Sequence, residues 1–89
     1  MSRSAIFAAI SAERARQELL WAGPHAHGAG SCASPDVPVA VKVAVLAEET
    51  GEVARAFLDG KDTDLRTELI QVAAVAVAII ESIDGKDEQ

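Results

Sequence analysis

Three glutamates crowd the segment VLAEETGEVARAFL, residues 45–58: Glu48, Glu49 and Glu52. A fourth, Glu68, lies in LRTELIQ, with Gln71 one helical turn further on. Side chains three and four positions apart share a helix face, so each group can present its oxygens in one direction. Carboxylates brought together in a partly apolar groove repel and raise one another's pKa unless a positive charge sits among them. Hard divalent cations suit such a donor set, since Mg²⁺ takes oxygen ligands and keeps waters and substrate phosphates in its remaining positions. The spacing leaves two readings open: a Mg²⁺ or Mn²⁺ site, or solvated helix-surface charges.

Placing these residues requires helices. Residues 4–22 read as a first helix, with Ile6, Ile10, Leu19 and Leu20 on its apolar side and Glu13, Arg14 and Arg16 opposite. The segment 23–37 is rich in Gly, Pro, Ser and Ala and carries no periodic pattern, so it is a loop. A second helix is expected over 38–59, with Asp36 as N-cap, Pro38 in the first turn, and Val39, Val43, Leu46, Val53 and Phe57 at helical spacing up to a stop at Gly60. A third is expected over 63–84, capped by Asp62 or Thr63, with Leu65, Leu69, Val72, Ala76, Ile79 and Ile83 in a stripe.

The short connection between the second and third helices implies an antiparallel hairpin. At about 1.5 Å per residue from the connection, Glu52 and Glu68 stand about 10 Å up their helices, and Glu49 and Gln71 about 15 Å. The glutamates of one helix and the polar pair of the other then enclose one site. Glu68 also sits close to the apolar stripe, where a solvated glutamate would not be placed.

The chain is 89 residues with net charge −6, and 49% of it is hydrophobic but only 3% aromatic. Ala, Val, Leu and Ile in that proportion favour close helix packing, so an all-α single domain over 1–89 is expected. The acidic balance argues against nucleic acid as partner, because backbone binding needs clustered Lys and Arg. The start lacks the long apolar core of a signal peptide, and the run from Val72 to Ile80 is too short to span a bilayer; the expectation is a cytoplasmic protein with no membrane partner. One cysteine, Cys32, forms no internal disulfide, and with His25 and His27 it makes a poor zinc set. From Leu69 to Ile80 every residue but Gln71 is apolar, more than one hairpin covers, so a second subunit is expected.

These residues resemble the MazG-like, all-α nucleoside triphosphate pyrophosphohydrolases, whose signature is E-E-x-x-E on one helix and E-x-x-D on the next. Glu48-Glu49-Thr50-Gly51-Glu52 matches the first half, and Glu68-Leu69-Ile70-Gln71 the second except at Gln71. The segments VLAEETGEVARAFL and LRTELIQVAAVAVAIIESI, and ERARQELLW in the first helix, resemble the small MazG-like proteins of actinobacteria and phages. The resemblance implies a helical hairpin plus N-terminal helix, assembling into a homo-oligomer, dimer or tetramer, with a four-helix bundle at each site. It implies Mg²⁺-dependent cleavage of a nucleoside triphosphate to a monophosphate and pyrophosphate, in nucleotide-pool house-cleaning. Glu49, Glu52 and Glu68 would be metal ligands; Glu48 would assist in metal binding or orient the attacking water. Gln71 would offer one neutral oxygen in place of a carboxylate, so a binding module without full turnover is the alternative.

Phosphate contacts are expected from Arg55, one turn beyond Glu52, and from Lys42 and Lys61. Arg14, Gln17 and Trp21 would border a base or sugar pocket, Trp21 by stacking.

Overall fold

The computed structural model describes residues 2–87. Among them three helices carry the chain: α1 (Arg3–Leu20), α2 (Val39–Leu58) and α3 (Asp62–Asp87). Ser2 caps α1 by accepting from the Ala5 amide at 3.2 Å. No side chain caps α2; Pro38, not Asp36, occupies the N-cap position, where its fixed φ and missing N–H cost nothing. The end of α2 follows from Gly60, whose φ of 71° only glycine adopts cheaply. There the Gly60 amide bonds Phe57 O and the Lys61 amide bonds Ala56 O, a reciprocal closure that turns the chain directly into α3.

The loop between α1 and α2 is more ordered than its composition implies. Pro24–His25 (β1) and Gly28–Ala29 (β2) form a two-stranded antiparallel ribbon, with His25 opposite Gly28. A side chain at Gly28 would meet Asp36 O at 2.6 Å, so the ribbon lies against the approach to α2 only because that residue has no Cβ. His25 Nε2 donates to Gly30 O and its Nδ1 accepts from the His27 amide, which commits both ring nitrogens to the loop.

α3 is the central element, packed by both α2 and α1. The buried apolar residues are mostly small, Ala56, Ala74, Val75 and Ala78 with Val37 of the loop, which lets the helix axes approach closely. The stripes expected to form the core are the exception to the sequence reading. Val39, Val43 and Phe57 of α2, and Leu69 and Ile83 of α3, are exposed, as are Ile6, Leu19 and Leu20 of α1. α1 turns its polar side inward instead, burying Arg14 and Gln17. The Cα radius of gyration, 13.7 Å, exceeds the roughly 12 Å of a fully compacted chain of this length. No described helix is long and apolar enough to cross a membrane.

Candidate metal and nucleotide site

Polar contacts between helices set the geometry of the site. Arg14 of α1 donates through Nε and Nη2 to the two Glu81 oxygens of α3, and through Nη2 also to Glu18. Glu18 in turn accepts from Ser31, fastening the loop to the same helix. Farther along the same face, Gln17 Nε2 donates to Glu13 at 3.2 Å and to the Gln71 backbone carbonyl at 3.4 Å. The α1 helix thus stands beside α2 over the middle of α3, leaving a cleft of about 430 Å³ between them. Its walls include Gln17 and Trp21 from α1, Glu48 and Glu49 from α2, and Gln71 and Val75 from α3.

Glu48 and Glu49 line this cleft, and Glu52 lies close to both. Glu48, Glu49 and Glu52 can each bring one carboxylate oxygen within 4.8 Å of the others. Burial first, then the nearby charges of Glu52, Glu68, Glu48 and Glu13, pushes the Glu49 carboxyl above its ordinary range. Glu68 is raised for similar reasons, burial first and then Glu52, which is close enough to share a hydrogen bond with it. One oxygen of Glu49 and one of Glu68 are buried without a hydrogen-bond partner. Four acids on two facing helices, two of them with an unsatisfied oxygen, make an oxygen-rich set that could hold a hard cation.

The structure divides the single enclosure expected from the hairpin heights. Glu48, Glu49 and Gln71 face the larger cleft, whereas Glu68 faces a second depression of about 300 Å³ near the α2–α3 turn, together with Glu52 and Arg55. Glu52 joins the two, because it also belongs to the Glu48–Glu49 cluster. Glu52 lies against Glu68, as the register of the hairpin implies, while Glu49 and Gln71 share only the lining of the larger cleft.

The other expected contacts fall in different places. Gln17 and the half-exposed Trp21 line the larger cleft, with Trp21 set edge-on against His25 at 5.8 Å. Arg14 does not reach it; burial and Glu81 commit its guanidinium to holding α1 on α3. Lys42 is also displaced from the phosphate role: it is 1% exposed and its Nζ donates to Ser82 of α3, because the residue falls on the α2 face that packs inward. Lys61 is exposed in the α2–α3 turn and lines neither cleft.

Sequence reasoning passed over Glu13 and Arg16, which line the larger cleft with Gln17. Arg16 bonds both Glu13 oxygens at 2.7 Å and also feels the charge of Glu49. The signal was present in the spacing: residues 13, 16, 17 and 20 repeat at three and four, a helix face of its own. The sequence reading places Gln17 at the pocket but sets Glu13 and Arg16 on the side opposite the apolar residues.

No family model, no curated protein and no solved structure matches this chain.

Proposed function

We propose that the chain is a Mg²⁺- or Mn²⁺-dependent nucleoside triphosphate pyrophosphohydrolase that acts as a homo-oligomer in the cytoplasm, consistent with its resemblance to the MazG-like enzymes. The observation that carries the reading is the carboxylate ridge: Glu48, Glu49 and Glu52 converge within 4.8 Å, and Glu49 and Glu68 keep buried oxygens without partners. The donor set fits a hard divalent ion, with Glu48, Glu49 and Glu52 as its ligands and Glu68 facing them from α3. When bound, such an ion supplies charge neutralisation on the phosphates and a more acidic water.

The chain's own residues do the rest. Arg16, on the cleft rim, offers a guanidinium to phosphate oxygens, exchanging its Glu13 partner for the ligand. Trp21 presents a ring face to a base, and the Gln17 amide, held by Glu13 and the Gln71 carbonyl, bounds the pocket on the α1 side. Glu48 is exposed at the cleft, where it would either complete the ion's ligand set or orient an entering water. The exposed apolar faces of all three helices support self-association.

A second reading, a nucleotide- or metal-binding module without turnover, is favoured by Gln71, a neutral residue that lines the cleft with Glu49 where the resemblance expects an aspartate. A screen of nucleoside triphosphates with Mg²⁺ and Mn²⁺, scoring pyrophosphate, tests the proposal. Release that depends on the metal and disappears in Glu49→Gln supports the enzyme. Metal-dependent stabilisation without release leaves only the binding module, and neither effect overturns both readings.

A further inference from the structure

Among the described residues that line the larger cleft, Arg16 is the one Lys or Arg, set against the acids Glu13, Glu48 and Glu49. Its guanidinium is already taken by the chain itself. Nε and Nη2 each donate at 2.7 Å to one oxygen of Glu13, the two-pronged geometry with which arginine also grips a phosphate. Glu13 thus stands on Arg16 where an entering anion would have to bind.

The two ends of this pair are unequal. The Glu13 side chain is 12% exposed and also accepts from Gln17 Nε2 at 3.2 Å, and the same nitrogen donates to the Gln71 carbonyl of α3. Arg16 is 55% exposed, and Glu13 is its one hydrogen-bonded partner among the described residues. Since the two lie three positions apart on one helix, the carboxylate stays within reach of the guanidinium whatever enters the cleft. Glu13 is the fixed end and Arg16 the end that swings.

We infer that Glu13 is a positioning residue: an internal counter-anion that holds the Arg16 fork at the cleft rim, yields it to entering phosphates and recaptures it as they leave. The inference rests on the reading of this cleft as a phosphate-binding site and adds how its grip is regulated. Every phosphate contact of the fork replaces hydrogen bonds to Glu13, so substrate and product are both held less tightly than by a free guanidinium. Binding weakened to the same extent in both favours release of pyrophosphate. The exchange also leaves the Glu13 charge uncompensated near Glu49, whose carboxyl already feels it, so the exchange is favoured once a cation sits among the acids.

Calorimetric titration of the full chain with inorganic pyrophosphate at fixed Mg²⁺ tests this. Glu13→Gln keeps an acceptor for Gln17 and releases the fork. It should bind pyrophosphate about fivefold more tightly than the parent, the upper end for a surface ion pair because Glu13 is mostly buried. Loss of a merely structural contact would weaken binding instead. Removing a negative charge tightens anion binding with any cation at position 16, so Arg16→Lys supplies the control. Its single ammonium is not gripped by both oxygens, and adding Glu13→Gln to it should change affinity by less than about twofold. An equal gain in the arginine and lysine backgrounds, no gain or a loss in Glu13→Gln, or a parent that does not bind pyrophosphate overturns the inference. Failure of the hydrolysis reading looks different: no nucleoside triphosphate releases pyrophosphate, yet Glu13→Gln still tightens pyrophosphate binding in the arginine background alone.

Discussion

Arg14 of α1 and Glu81 of α3, distant in the chain, are joined by two hydrogen bonds, Nε to Oε1 at 2.9 Å and Nη2 to Oε2 at 3.2 Å. The pair helps hold the cleft in shape, because together with the Gln17–Gln71 carbonyl bond it ties α1 to α3. Glu81→Ala leaves the buried guanidinium with Glu18 alone, its Nε joining Nη1 without a partner. Since Glu81 is itself half exposed, solvent screens part of the loss, and the expected cost is about 1–2 kcal/mol in urea unfolding. Glu81→Gln, which keeps one acceptor, should cost less. Equal stability of Glu81→Ala and the parent would show that the clamp contributes nothing.

Lys42 is expected to act on stability alone. Lys42→Ala removes a long buried stem and leaves Ser82 without its donor, a loss of about 2 kcal/mol. Lys42→Met refills the volume and should recover part of it. Neither should change the KM for a nucleoside triphosphate, and a rise in KM with unchanged melting would return Lys42 to the phosphates.

The acids of the site set the pH dependence of the metal-free protein. Glu49 and Glu68 are raised in the folded state, chiefly by burial, so the folded chain holds protons that the unfolded chain has already lost just above the ordinary carboxyl range. Their contribution to stability falls as pH rises through that window. Glu13 and Glu18 are lowered, through hydrogen bonds from Arg16 and Ser31 respectively; their contribution is present above the ordinary range and is lost as pH falls through their folded values. Glu49→Gln should therefore raise the apo melting temperature at pH 7, on the order of 4 °C, and flatten the decline toward neutral pH. A lower melting temperature at pH 7 would mean that the Glu49 charge is compensated in the folded chain.

Gln71→Asp adds a carboxylate where the resemblance expects one. The same substitution should lower apo stability and strengthen the rise in melting temperature with Mn²⁺, since the added repulsion is relieved only by the cation. Pyrophosphate release should increase in parallel. Unchanged metal response and unchanged apo stability would place position 71 outside the site.

Trp21 is the only tryptophan and lies on the cleft wall with half its surface in water, so its emission reports occupancy directly. A nucleoside triphosphate added with Mg²⁺ should quench or blue-shift it, and the change should be absent in Glu52→Gln. A full spectral change that persists in Glu52→Gln would separate base binding from the carboxylates.

The sequence alone determined the three helices and the turn at Gly60 that makes the hairpin, because these depend on local events, but not the limits of α3, which runs from Asp62 through Gly85 to Asp87 rather than over 63–84. The positive φ at Gly60 ends α2, Pro38 opens it, and 3.6 residues per turn then bring Glu52 near Glu68 whatever surrounds them. Which face of each helix turned inward was decided by tertiary structure. The apolar stripes through Val43, Phe57 and Leu69 look like core by periodicity, yet close approach of α1, α2 and α3 is made by Ala56, Ala74 and Ala78, with Arg14, Gln17 and Lys42 buried because partners on α3 satisfy them. Periodicity measures how apolar a face is. It does not show whether a polar face will find hydrogen bonds across the fold, and that difference moved Arg14 and Lys42 away from the cleft and brought Glu13 and Arg16 into it.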